Sequence, residues 1–244
     1  MQPEAYTQMA EAERAHWWFV GRRRLLEAVI TALALPPAAR ILEVGSGTGG
    51  NFPLLQRFGD VTAIELNETA RAMATARTGL PVQSGALPDA LGLGDQKFDL
   101  ICLLDVLEHV GPDAASLQAL RAHLAPGGRL ILTVPAYRAL FGPHDKALHH
   151  FRRYERAALA ALLGQTGYGI HYLTFFNCLL LPLALMARLA DRLLRREAPL
   201  GERTPAAPLN AVLTAIFSAE AGPLSRGRRL PFGLSLLAVA VAAG

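Results

Sequence analysis

Between Arg40 and Ala136, short apolar runs alternate with helix-patterned segments, and this alternation constrains the fold more than any other feature of the chain. "RILEVGSG" reads as a buried strand entering a glycine turn, "NFPLLQRFG" as a short helix, "VTAIE" as a strand and "NETARAMATAR" as a helix. "PVQSG" is a weaker strand and "FDLICLLD" a strong one. "DAASLQALRAHL" is a helix closed by "APGG", and "RLILTVPA" is another buried strand. Strands that are apolar throughout and separated by helices belong to a parallel sheet covered on both faces. The pattern predicts a doubly wound α/β fold.

The first strand ends in Gly45-Ser46-Gly47-Thr48-Gly49. Glycines accept positive φ and let a ligand approach the backbone. The turn falls at the carboxyl end of a strand, where open α/β sheets bind ligands, and before a helix N-terminus suited to an anionic group. Glu65 closes the second strand, where a carboxylate can accept from two ribose hydroxyls. Gly85 and Ala86 close the third with small residues that leave room for a flat ring. The fourth ends in "LLDVLEHV", which brings Asp105, Glu108 and His109 to the same edge. A nicotinamide-dependent oxidoreductase shares the turn and the acid at strand two, but no Tyr-x-x-x-Lys pair is evident.

"EVGSGTGG", the acid closing strand two and "FDLICLLDVLEHV" come in order over about residues 38–137, and together they resemble the class I S-adenosylmethionine-dependent methyltransferases. The resemblance implies a Rossmann-like, mostly parallel, seven-stranded sheet with helices on both faces. Its last strand would be antiparallel and inserted beside the fifth, which "LPFGLSLLAVAVA" fits. It implies S-adenosyl-L-methionine as cofactor, with Glu43, Gly45, Ser46, Gly47 and Gly49 at the methionyl part and Glu65 and Leu66 at the ribose. Gly85 and Ala86 would face the adenine, and Asp105, Val106 and His109 would complete the site. Many members carry an acid after strand three; Ala86 stands there in this chain, which leaves adenine recognition to backbone groups. "HWWFVGRRR" and "PHDKALHHFRRY" resemble stretches of a bacterial subgroup found in polysaccharide and lipid-linked glycan pathways. That points to a small-molecule, sugar or lipid-linked glycan acceptor, methylated at oxygen. A non-catalytic binding module on the same fold is the alternative from a different class.

Residues 1–36 read as helices forming a lid, and residues 37–244 as the methyltransferase domain with a helical insertion at about 178–225. Trp17 and Trp18 are the only tryptophans. An aromatic face attracts a sulfonium by about 0.5–2 kcal/mol, and an arginine such as Arg22 suits the cofactor carboxylate. Adjacent helical side chains point about 100° apart, so one ring is expected in the core and one at the site. After the fifth strand comes a loop carrying His144, Asp145, His149, His150, Arg152, Arg153 and Tyr154. His109, His144 and His150 are candidate bases for an acceptor proton. Tyr137, Asp145, Arg152, Arg153 and Tyr154 are candidate acceptor-binding residues. His144 and Asp145 with His149 or His150 have the chemistry of metal ligands, but their spacing matches no metal motif, and no metal is expected.

The net charge is +4 and the arginines fall in short clumps, which argues against a nucleic-acid partner. Cys102 and Cys178 lie in apolar runs, as in a reducing compartment, here the bacterial cytoplasm. The first residues are polar and acidic, without the apolar core of a secretory signal. From Tyr172 to Arg196 the chain is apolar for about 15 residues, where a membrane span needs roughly 20. A buried or partly buried helix is expected there; a helix lying on a membrane through about residues 173–190, its arginines near phosphates, is the alternative. "REAPLGERTPAAP" reads as a mobile surface linker.

Overall fold

The computed structural model describes residues 3–193 and 204–243. Two helices precede the sheet, α1 (Pro3–Ala15) and α2 (Trp17–Ala32). His16 separates them and caps α2, its side chain accepting the Trp18 N–H. The alternating region then folds as β1 (Ala39–Val44), α3 (Phe52–Leu55), β2 (Gly59–Glu65), α4 (Glu68–Thr78), β3 (Val82–Ser84), β4 (Phe98–Leu104), α5 (Asp113–Arg121) and β5 (Leu124–Pro135). It continues with α6 (Pro143–Ala147), α7 (Arg156–Gln165), β6 (Tyr168–Phe176), α8 (Leu181–Leu193), α9 (Ala207–Ser218), α10 (Ala221–Ser225) and β7 (Ser235–Ala242).

The seven strands form one sheet in the order β3-β2-β1-β4-β5-β7-β6. β7 runs antiparallel between β5 and β6, and the pairs from β3 through β5 are parallel. This is the Rossmann-like sheet that the resemblance implies. One boundary differs: "APGG" does not close α5, which ends at Arg121, and Ala125–Gly128 instead lie in β5. Gly127, at φ +77°, sits where the β4–β5 register shifts between Phe98 and Leu100.

Successive strand residues face opposite sides of the sheet, so two apolar layers form. One joins Leu42, Leu103 and Leu132 to Leu117 and Leu120 of α5 and Leu159 and Leu163 of α7. The other joins Ile41, Cys102 and Ile131 to Leu25, Leu26, Val29 and Ile30 of α2 and Phe217 of α9. The helical lid expected over residues 1–36 therefore divides. α2 is a core helix of the sheet, because its buried stripe completes the second layer.

The tryptophans go with α2. Trp18 stacks on Phe217, ring centroids 5.3 Å apart, and on Phe176 at 6.0 Å; Trp17 meets Phe217 edge-on at 5.8 Å. The Asn210 side chain accepts the Trp17 N–H at 2.8 Å and donates to the Ala15 carbonyl at 2.7 Å, clamping the α1–α2 junction to α9. Both rings thus join the leader to the C-terminal helices, and Trp18 joins it also to Phe176 at the end of β6.

The apolar run from Tyr172 divides as well. Its first residues belong to β6, Asn177 turns the chain at φ +57°, and α8 begins only at Leu181. The Glu220 carboxylate accepts the N–H groups of Asn177, Cys178 and Leu179 at 2.7, 2.7 and 2.9 Å, which fixes this turn. Leu183, Leu185 and Met186 of α8 are exposed while Leu181, Ala184 and Ala187 are half-buried, so the helix is partly and not fully buried. Among the described residues no helix is long and apolar enough to cross a membrane. Arg195, Arg196 and the 196–203 part of the expected linker lie outside the described residues.

At Gly21, α2 lies tight against α9: a Cβ there would lie 2.3 Å from Phe217 Cδ1. In a free helix alanine is favoured over glycine by about 1 kcal/mol. Overpacking against a fixed ring outweighs that, so Gly21→Ala is expected to lower stability by about 1–3 kcal/mol in urea unfolding, and a stabilised variant would contradict this packing.

Candidate active site

β1 delivers the chain into Gly45 (φ +70°), Gly47 (φ +55°) and Gly49 (φ +81°). A Cβ on Gly45 would lie 2.7 Å from Val106, and one on Gly47 would lie 2.9 Å from Met9 of α1. Glu65, at the end of β2, accepts the Gly47 N–H at 2.9 Å and the Asn67 N–H at 2.8 Å. The second strand thereby holds the turn on the first. Leu66 comes next, 70 % exposed, an apolar side chain left open at the sheet edge.

Glu43 lies buried below the turn. Its Oε1 accepts from Asn51 at 2.7 Å, while Oε2 has no partner among the described residues. Burial pushes this carboxyl up to about 7, against the opposing pull of Asn51 and Arg22. The Ser46 hydroxyl is also buried and without a partner among the described residues. Each such orphan costs about 1–3 kcal/mol. Unpaired polar atoms beside a glycine turn, with an acid at the next strand end, fit a polar cofactor bound along this edge.

Asp105 directly follows β4, held at φ +57°, and its carboxylate pairs with Arg22 of α2. Arg22 reaches the edge as expected of a site residue, but its partner in the structure is Asp105. Val106 then packs on Gly45, and Leu107–His109 form a 3-10 turn. Glu108 is buried; burial first, and Asp105 second, push its carboxyl well above the usual range. The His109 ring meets the His150 ring edge-on, centroids 4.6 Å apart.

The loop after β5 is organised by Asp145, which is fully buried. Its Oδ1 takes bonds from His150 Nδ1 at 2.9 Å and Arg153 Nε at 2.7 Å, and its Oδ2 takes the Gly142 N–H at 2.9 Å. Burial alone would raise this carboxyl, but the His150 and Arg153 contacts outweigh it and hold it below the usual range. Arg152 pairs with Asp113 at 2.6 Å, and the Tyr154 hydroxyl donates to Asp113 at 3.0 Å. Burial and Asp113 push that phenol above its ordinary value. Tyr137, at φ +61°, stacks on Phe175 at 5.4 Å.

The structure thus gathers Arg22, Glu43, Gly45, Ser46, Gly47, Gly49, Glu65, Leu66, Asp105, Val106, His109 and His150 around the carboxyl ends of β1, β2 and β4. Asp145, Arg152, Arg153 and Tyr154 are engaged in holding the loop. His144 lies on α6, outside the His109–His150 pair. The small size of Gly85 has a local cause: a Cβ there would lie 2.9 Å from the Leu91 carbonyl, and Ala86 and Ala90 exchange backbone hydrogen bonds.

Of the lid expected over residues 1–36, α1 is the part that covers the turn, through side chains that the sequence pattern does not single out. The Glu13 carboxylate accepts from Thr48 Oγ1 at 2.5 Å and pairs with Arg77 at 2.8 Å, and Tyr6 is close enough to Glu65 to feel its charge. The only signal is helical spacing of apolar residues, which carries no chemistry.

A Rossmann-like sheet with this edge defines the class I S-adenosylmethionine-dependent methyltransferases. A family model described as a methyltransferase domain matches residues 18–173, more than half the chain. The chain belongs to this family, and S-adenosylmethionine is its cofactor. It is 31% identical over 179 residues to the ubiquinone biosynthesis O-methyltransferase of Xanthomonas axonopodis pv. citri, covering 62% of this chain and 74% of that one. It is 32% identical over 120 residues to the trans-aconitate 2-methyltransferase of Variovorax paradoxus, covering 48% of this chain and 46% of the relative, so the match spans about half of that relative's length. The solved complex of the Haloferax volcanii Trm112 methyltransferase activator with a methyltransferase holds a chain sharing the fold at TM-score 0.61 and 17% identity, with 99% and 95% of the two chains covered.

Glu43 gives a pH test. Its folded value of about 7 lies above the ordinary 4.5, so the folded state retains a proton that the unfolded chain has lost. Its contribution to stability is complete below about 4.5 and is lost as pH rises through about 7. The unfolding free energy of the wild type minus that of Glu43→Gln should therefore fall across this window, and a pH-independent difference would contradict the burial.

Proposed function

We propose that this enzyme methylates an oxygen of a small-molecule, sugar or lipid-linked glycan acceptor. The observation that carries this reading is the His109–His150 pair, set beyond Asp105 on the same edge as the glycine turn. When bound, S-adenosylmethionine supplies an electrophilic methyl group on a sulfonium. The turn from Gly45 to Gly49, with Glu43 and Ser46, would hold its methionyl part, and Glu65 its ribose. Leu66 offers an apolar wall, and Gly85 and Ala86 offer backbone groups to the ring. The Arg22–Asp105 pair sets the far side, and α1 excludes water above the turn.

An oxygen nucleophile must lose its proton, and an imidazole near neutral pH is suited to that transfer. His150 is the better placed of the candidates: Asp145 fixes its Nδ1 and leaves Nε2 for the acceptor side. His144 remains a secondary candidate on α6. Asp145, Arg153 and, through Asp113, Arg152 and Tyr154 act as positioning residues that shape the acceptor loop, with Tyr137 at its start. The name of the O-methyltransferase relative supports oxygen as the atom methylated. The exposed Leu179, Leu183, Leu185 and Met186 support a lipid-linked acceptor met at a membrane surface in the bacterial cytoplasm.

The test is methyl transfer from labelled S-adenosylmethionine to a panel of hydroxyl-bearing acceptors. His150→Ala should lower kcat by about 10²- to 10⁴-fold while the affinity for S-adenosylhomocysteine stays within about twofold. Unchanged turnover, or an equal loss of cofactor affinity, would contradict the assignment.

A further inference from the structure

Glu108, His109 and His150 each offer a ligand atom, and these atoms all lie within 4.8 Å of one another. Glu108 and His109 are neighbours on the 3-10 turn after β4, and His150 comes from the loop after α6. The Phe151 N–H donates to the Glu108 carbonyl at 2.8 Å, which ties the loop to the turn and fixes the spacing of the cluster. Glu108 is 1 % exposed, and its Oε2 has no hydrogen-bond partner among the described residues. A buried carboxylate oxygen without a donor is costly unless a ligand supplies the missing contact.

The His150 imidazole is held from behind. Asp145 takes the Nδ1 of His150 at 2.9 Å, and the His149 backbone, at φ +58°, lies close enough to the His109 ring to favour its protonated form. His150 therefore keeps its Nε2 for another partner, and His109 offers a ring nitrogen beside it. Histidines that bind metals characteristically engage a carboxylate or backbone carbonyl through the second nitrogen, which fixes tautomer and orientation. Asp145 is itself fixed by Arg153 and the Gly142 N–H, so the support behind His150 is rigid. The grouping of His144 and Asp145 with His149 or His150 does not form a ligand set, because these bonds consume Asp145.

We infer that Glu108, His109 and His150 bind one divalent first-row transition-metal ion. Two imidazole nitrogens and one carboxylate oxygen suit zinc, cobalt or manganese, and three protein ligands leave coordination positions open. The role of the ion rests on the methyl-transfer reading; its binding does not. An ion there would favour acceptors that present a hydroxyl with a second oxygen close by. With the ion bound, His150 acts as a ligand and not as the base: the acceptor hydroxyl, bound to the ion, would release its proton to solvent more readily, and the base role of His150 belongs to the metal-free site. Its oxygen then forms the new O–CH3 bond as the S–CH3 bond breaks, and the sulfonium becomes a neutral thioether.

The test uses the full chain, stripped with a chelator and titrated with Co²⁺ by absorption and with Zn²⁺ and Mn²⁺ by calorimetry. S-adenosylhomocysteine binding is measured on the same sample. One saturable equivalent is expected, lost in His109→Ala, whose exposed position spares the fold, and unchanged in His171→Ala, an exposed imidazole on β6. Asp145→Asn should weaken it by about 10–100-fold. No saturable binding of any of these ions, or equal binding by His109→Ala, would overturn the site. Cofactor binding without metal binding would overturn this inference alone; metal binding without cofactor binding would uphold it and overturn the methyl-transfer reading.

Discussion

The Arg22 guanidinium and the Asp105 carboxylate meet at the carboxyl edge of the sheet, with side chains only 9 % and 23 % exposed. A poorly solvated charge must be paired, and removing one partner of a buried pair costs about 3–5 kcal/mol. This pair joins the two parts of the chain that make the site. Arg22 projects from a helix sealed to α9 by stacked aromatic rings. Asp105 sits in a left-handed conformation at the end of β4. The residues after Asp105 inherit its position: Val106 over Gly45, then Glu108 and His109 on their turn.

A second constraint comes from the other side. Glu65 holds the glycine turn from β2, and Glu13 holds it from α1 through Thr48 and Arg77. The turn lies between two carboxylates and two helices, while the buried Glu43 and Ser46 keep unpaired polar atoms beneath it. The fold thus gives up stability at the site and recovers it in the two apolar layers, as expected where binding requires polar groups kept ready.

Local patterns make the sheet and most of its edge legible in the sequence. Apolar strands, glycines at positive φ, Glu65 at a strand end and "LLDVLEHV" act through neighbours close in sequence. The closing antiparallel strand is legible through the resemblance. The tryptophans are not, because their partners Phe176 and Phe217 lie more than 150 residues away and hydrophobic spacing does not say which surface a ring meets. The apolar run after Tyr172 misleads in part because strand and helix look alike in such a run, and Asn177 divides it. The smallness of Gly85 suggests room for a ring; the nearby Leu91 carbonyl, visible only in three dimensions, accounts for it. Glu108 reads as one acid among several, and only its burial beside two imidazoles distinguishes it.

The proposed S-adenosylmethionine site at the glycine turn and Glu65 is open to a direct check. Calorimetric titration with S-adenosylhomocysteine, with NAD⁺ as control, on the wild type and Glu65→Ala provides it. Tryptophan emission would be a poor substitute, since both rings pack on Phe217 of α9. One saturable site is expected for S-adenosylhomocysteine and none for NAD⁺. The affinity should fall by about 10- to 100-fold in a folded Glu65→Ala, since hydrogen bonds to a charged group contribute roughly 1.5–3 kcal/mol. A folded wild type that fails to bind, or a Glu65→Ala variant that binds equally well, would contradict the site.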